Sequence, residues 1–408
     1  MDTPPPDTLA MASAPSDPSP WARRLSLAAV VASALAVGAT LGLAGPLIAL
    51  NLEAQGASNT LIGLNAAMPA LAILLAGPMI PRLLADLGLA PVMLGGLTAS
   101  VGVLLLFTTG NSWSVWFGLR FLLGLGMSLH WIASETWISR MASEAGRGGA
   151  VGAYATCWSL GIASGPQILI LTGTAGFLPF AVAALLLGLA ALPVLLARHR
   201  APVLPAASRR HDHPLAAIRQ APGVFAAAFL CGFTEAIAFA FLPVHALRHA
   251  MDADAAVTLL SLFAIGGLVF QVPLGWLADR LPRSRLLQGT VLLTLLTVLA
   301  WPLVLASSWW LKGSVLLLFG GMAGGFYTLG LILLGQRFSG PDGTAANTAF
   351  VMAYTLGMLT GPLSGGAAFD LWPRFGLSGV LALLLLLFLV AGPSGYSAPS
   401  AATSRLKR

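Results

Sequence analysis

The chain alternates long apolar runs with short polar turns. Twelve runs can be marked, at 25–50, 60–80, 90–108, 113–139, 148–172, 176–197, 221–245, 255–277, 286–306, 314–337, 344–369 and 375–392. A run of about 20 apolar residues can cross a bilayer as a helix, with every backbone group bonded internally. The pattern therefore predicts an all-α membrane protein with twelve transmembrane helices. Pro69, Pro78 and Pro81 crowd the second run and predict a kink or an early helix end there. The first run exceeds the apolar region of a secretory signal, so it reads as a retained helix. Residues 1–20, rich in Pro, Asp, Ser and Ala, read as a disordered tail, and 396–408 as a second tail. Between them the division is a bundle over 21–197, a polar linker over 198–220 and a bundle over 221–395.

Composition agrees with this pattern. Of 408 residues, 57% are hydrophobic and 9% charged, and the mean hydropathy is +0.86. Such a chain cannot cover a water-facing surface. The net charge of +7 could suggest a nucleic-acid partner in a soluble protein. Its distribution gives another cause. Seventeen of the 21 Lys and Arg residues fall on one side of the predicted spans. The opposite loops hold Arg248, Lys312 and Arg374, and Arg120 lies inside span 4. Basic loops stay in the cytoplasm, which places both termini and the 198–220 loop there. Cys157 and Cys231 lie inside apolar runs and read as buried thiols.

The two halves echo each other. An offset of 197 carries Pro46 to Pro243, Gly124 to Gly321, His130 to Tyr327 and Arg140 to Arg337. An offset of 196 carries Gly161 to Gly357 and Gly165-Pro166 to Gly361-Pro362. Six spans per half preserve orientation, so these are parallel repeats about an axis along the membrane normal, with a substrate path expected between them.

The motifs carry a resemblance. Gly275-Trp-Leu-Ala-Asp279-Arg280-Leu-Pro282-Arg283-Ser-Arg285 resembles the loop between the second and third helices in each half of a major facilitator superfamily transporter. Pro282 stands where that loop has its second Gly. The first-half copy is worn: Gly77 and Arg82 remain, but Pro81 occupies the Asp position. Arg120-Phe-Leu-Leu-Gly124-Leu-Gly126 looks like the family's span-4 signature. Gly161-x-x-x-Gly165-Pro166 and Gly357-x-x-x-Gly361-Pro362 look like its Gly-Pro signature. Glu135, Arg147, Tyr154 and Gln167 further resemble a bacterial branch whose members mostly have no assigned substrate. The resemblance covers residues 21–395. It implies the major facilitator fold, a bacterial inner-membrane location and an alternating-access cycle. It also implies conformational control by Gly275, Asp279, Arg280, Arg283 and Arg82, and by the Gly165-Pro166 and Gly361-Pro362 pairs.

Physical reading gives these residues work. Asp279 can accept hydrogen bonds from a nearby helix N-terminus, and the loop arginines can engage carboxylates or lipid headgroups, forming a latch. The alternative is that the arginines only orient the protein. Glycines four apart share a helix face and admit a close neighbour. Packing and gating both fit them.

Glu235, Glu135 and Arg120 are intramembrane charges, expected to face the bundle interior. Glu235 is the candidate proton-coupling or cation-recognising group, with a fixed structural contact as the alternative. Glu135 and Arg120 are separated by about 22 Å of helix and cannot pair. Candidate substrate contacts are His130, Trp131, Tyr154, Trp158, Gln167, Phe239, Gln271, Tyr327, Asn347 and Tyr354. Aromatic groups with few polar ones suit an amphipathic or weakly cationic solute.

The expected function is secondary active transport of a small organic solute, proton-driven, leaning toward export by antiport, with the protein working as a monomer. A receptor or assembly protein on a transporter scaffold is the alternative. A copper or other metal carrier, using His245, His249 and Met251, is a minor one. His211-Asp-His213 could also touch a metal, although a solvated loop explains it. No Walker loop and no nucleophile–base cluster is present, so no enzyme, cofactor or nucleic-acid partner is expected.

Overall fold

The computed structural model describes residues 20–110, 112–142, 147–202, 214–338 and 340–391. Within them the chain forms α1 (Pro20–Ala54), α2 (Asn59–Ala76), α3 (Ile80–Leu87), α4 (Leu89–Leu106), α5 (Trp113–Met141), α6 (Arg147–Thr172) and α7 (Leu178–Ala197). A single 3-10 turn follows at Arg198–Arg200. Then come α8 (Pro214–Gln220), α9 (Pro222–Arg248), α10 (Ala253–Ala278), α11 (Arg283–Val304), α12 (Trp309–Arg337), α13 (Gly340–Leu371) and α14 (Gly376–Ala391). Among the described residues, nine helices are long and apolar enough to cross a membrane.

Two boundaries differ from the marked runs, the first being the early helix end that the prolines of the second run predict. The second run does not continue to residue 80. Gly77 caps α2, donating its backbone N–H to the Ile73 carbonyl, and the chain restarts as α3. Pro81 sits in the first turn of α3, where a missing N–H costs no helical hydrogen bond. The 198–220 linker is helical at its end: α8 buries Ala217 in a cluster with Val224, Phe225 and Phe350. Both predicted tails, apart from Pro20, lie outside the described residues, as do His211-Asp-His213 and the side chain of Arg147.

Glycine faces bring the long helices together. A Cβ on Gly161 or Gly165 of α6 would run into the α1 backbone between Leu35 and Leu43. A Cβ on Gly357 or Gly361 of α13 would meet the α9 backbone at Phe229 and Phe233. The contact recurs from the first half to the second: Leu35 and Phe229 occupy matching places against Gly161 and Gly357. Membrane helices gain little from leaving lipid for one another, so close packing of small residues carries their association. The glycines therefore have a packing role whatever else they do.

The opposite faces are apolar and open. Leu171, Leu196, Val272, Leu303 and Val390 are exposed, as lipid contact requires. Exposed tryptophans occupy helix ends: Trp21 and Trp276 at one end of the assembly, Trp113, Trp309, Trp310 and Trp372 at the other. Tryptophan favours the headgroup level on both sides of a bilayer. The two ends are called here the Arg280 end and the Asp370 end.

Candidate functional site

The two helix sets meet through α1–α9, α2–α13 and α6–α10. Polar contacts tie them toward the Asp370 end. The Asp370 carboxylate accepts from the backbone N–H groups of Asn59 and Thr60, at 2.9 and 2.8 Å. It also accepts from Asn59 Nδ2 and Thr60 Oγ1, at 2.7 and 2.6 Å. The carboxylate of α13 thus caps the N-terminus of α2, where unpaired donors favour negative charge. Beside it, Gly366 lies against the Asn59 carbonyl and Gly63 against the Pro362 carbonyl, neither with room for a Cβ. Arg248 donates to both Glu53 oxygens, at 2.8 and 2.9 Å, joining α9 to α1. Gln167 Nε2 donates to Ser261 Oγ at 2.8 Å, joining α6 to α10.

Midway along the helices lies a cavity of about 240 Å³. Of the sequence-predicted contacts, Trp131, Trp158, Phe239 and Tyr354 line it, together with the charged Arg120 and Glu235. Thr40, Leu41, Gly45, Pro69, Met127, Ser128, Ile162 and Met358 complete much of its wall, and the sequence reading had not named them as substrate contacts. Tyr354 Oη donates to Glu235 Oε2 at 2.8 Å. The Trp131 and Trp158 rings stack, with centroids 6.4 Å apart. Nearer the Arg280 end, Glu135 and Asn347 are exposed.

The other predicted contacts are not in the cavity wall. His130 is fully buried, with Nε2 hydrogen-bonded to Ser33 Oγ at 2.8 Å. Tyr154 is buried against Ser134 Oγ at 2.8 Å and supports Trp158 from behind. Gln167 is used in the α6–α10 contact. Tyr327 packs edge-on against Tyr354 and Phe350. Gln271 is half-buried on α10. Glu135 accepts from Trp131 Nε1 at 2.8 Å, one helical turn away.

The loop at the Arg280 end is open. Asp279 is exposed and makes a long 3.9 Å pair with Arg283. Arg283 Nε donates to the Ala278 carbonyl at 3.0 Å. Arg280 lies over the Trp276 ring, 3.5 Å from its centroid. Arg82 is exposed on α3. Among the described residues, Asp279 makes no contact with a helix N-terminus; its pair is with Arg283, in the first turn of the next helix of its own half. A Cβ on Gly275 would meet nothing within 4 Å.

No group of three or more His, Cys, Asp or Glu that could hold a metal occurs among the described residues. His245 Nδ1 accepts from Trp301 Nε1 at 3.3 Å, and His249 Nδ1 is bonded to the His245 carbonyl. Both imidazoles are engaged within the protein.

Comparisons with known proteins agree with this architecture. An uncharacterised MFS-type transporter of Bacillus subtilis (strain 168), YfkF, is 29% identical over 342 residues, covering 81% of this chain and 85% of the relative. Another, YE1530 of Yersinia enterocolitica, is 27% identical over 297 residues, covering 71% and 75%. Among solved structures, a bacterial homologue of the human lysosomal transporter Spinster, inward-facing and unoccupied, superposes with a TM-score of 0.71 at 14% identity, over 93% of this chain and 97% of that one. The nucleoside transporter NupG superposes with a TM-score of 0.69 at 13% identity, over 90% and 98%. The family model matches twice, at residues 30–223 and 224–407. These relatives are transporters rather than enzymes, and the chain, a multi-pass protein of the bacterial inner membrane, belongs to the Major Facilitator Superfamily.

Proposed function

We propose that the protein moves a small amphipathic or weakly cationic organic solute by alternating access, driven by proton exchange at Glu235. The observation that carries this reading is the cavity. It lies between the two helix sets, is walled by aromatic and aliphatic groups, and holds one carboxylate bonded to one tyrosine hydroxyl. With polar ties at the Asp370 end and exposed Glu135 and Asn347 nearer the Arg280 end, this reading has Glu235 reached from the Arg280 end here and from the other end in the alternate arrangement. A carboxylate whose surroundings alternate between wet and closed can take up a proton on one side and release it on the other.

Two parallel six-helix repeats, 21–197 and 221–395, joined by 198–220, fit the paired family matches and the matched glycine contacts. Twelve spans with both termini cytoplasmic fit the placement of Arg82, Arg140, Arg198, Arg280 and Arg337 at one end. The Arg280 end is then cytoplasmic and the arrangement described is inward-open. The apolar wall favours export over import, and the protein acts as a monomer among lipids. In vesicles of the purified protein, a metabolite and drug library screened with and without an imposed pH gradient should yield a solute whose flux requires the gradient. Flux indifferent to the gradient for every transported solute would reject proton exchange.

A further inference from the structure

Arg120 is a charge that the described contacts leave unexplained. It stands on α5 and lines the central cavity. Its Nε is buried without a hydrogen-bond partner. Among the described residues no acidic side chain forms an ion pair with it. Glu135 belongs to the same helix but lies about 22 Å along it. Glu235 shares the cavity, yet its carboxylate is engaged by Tyr354. A buried cation with no counter-charge is costly, and leaving a buried donor unmade adds to that cost.

The surroundings keep the guanidinium available rather than satisfying it. Gly45 on α1 stands beside it, and a Cβ there would come within 3.9 Å of Nη2. The nearby hydroxyls are turned to their own helices: Thr40 donates to the Ala36 carbonyl and Ser128 to the Leu125 carbonyl. Among the described residues that line the cavity, Arg120 is the cation, and its Nε donor is left unpaired.

We propose that Arg120 is a substrate-binding residue and that the cargo carries one anionic group of carboxylate chemistry, with an aromatic or aliphatic body against Trp131, Trp158 and Phe239. This rests on the carrier reading above and narrows its amphipathic solute to an organic monoanion. A guanidinium fork matches a carboxylate with two parallel hydrogen bonds. One cation in a cavity that also holds a carboxylate suits a single negative charge and disfavours polyphosphates. The apolar remainder of the wall disfavours a small, fully hydrated ion.

The test uses matched pairs of monocarboxylates and their neutral primary amides, with phenylacetate, 4-phenylbutyrate, indole-3-acetate and octanoate as the acids. Binding to the purified full-length protein is followed by calorimetry. At least one acid should bind about tenfold or more tighter than its amide, the fold expected of charge-assisted hydrogen bonds. Arg120→Gln should erase that preference and Arg120→Lys should restore part of it. Equal affinity within every pair, or no binding by any, overturns the proposal. Saturable binding of chloride or inorganic phosphate lost in Arg120→Gln, with no acid preferred, also overturns it. In each case the carrier reading stands if the library screen finds a gradient-driven solute. That reading fails separately if no solute crosses under any gradient.

Discussion

Asp370, at the end of α13, holds Thr60 by two hydrogen bonds, to its hydroxyl at 2.6 Å and its backbone N–H at 2.8 Å. With the two from Asn59 they make one carboxylate the cap of a helix in the other half. Asp370→Asn keeps the shape but loses the charge and half of the acceptors. The site is exposed, so the loss should be about 1–2 kcal/mol, a shift of roughly 5–30-fold in the balance of arrangements. Distances between spin labels across the Asp370 end should lengthen in that variant. An unchanged distance distribution would show that the cap does not hold this end closed.

Arg248 and Glu53 form the second tie, and it should matter less. Their side chains are 34% and 20% exposed, and exposed pairs contribute about 0–1 kcal/mol, screened by salt. Arg248→Ala should shift the same spin-label distances by a smaller amount, and raising ionic strength in the wild type should imitate it. A larger effect than Asp370→Asn would reverse this ranking.

The glycine faces give a paired prediction. Gly165→Leu forces a side chain into the α1 backbone and should destabilise by about 1–3 kcal/mol or more, lowering the thermal midpoint in detergent. Gly275→Ala meets open space and should leave the midpoint unchanged. Equal midpoints for both variants would contradict the packing described.

The Arg280-end loop predicts a change of opposite sign. Among the described residues Asp279 pairs only with Arg283, which leaves it to latch the alternative arrangement. Asp279→Asn should therefore enrich the arrangement open at the Arg280 end, where Asp370→Asn depletes it. Cysteine crosslinking across the Arg280 end reads this directly. Identical crosslinking yields in wild type and Asp279→Asn would reduce the loop arginines to topology marks.

Much of the framework was legible because lipid imposes one rule on every span. Apolar length located the long helices, and Gly161, Gly165, Gly357 and Gly361 marked the faces that touch. The site was legible only in part. Trp131, Trp158, Phe239 and Tyr354 line the cavity, whereas His130, Tyr154 and Tyr327, similar in kind, pack behind it. Composition cannot separate the two groups, because rotation about a helix axis decides which way a side chain faces and the all-apolar spans carry no periodic signal of it. Asp370, Asn59 and Thr60 were missed for another reason. Ser58-Asn59-Thr60 reads locally as a helix start, with Ser58 Oγ accepting from Leu61 N–H. Nothing local announces a cap from more than 300 residues away.

The central claim is that Glu235 couples solute movement to protons from within the cavity. Its most direct test is flux of a transported solute into vesicles under an imposed pH gradient, wild type beside Glu235→Gln. The account predicts gradient-driven flux in the wild type and none in Glu235→Gln, with counterflow of unlabelled for labelled solute retained in both. Gradient-driven flux persisting in Glu235→Gln at the wild-type dependence would contradict it.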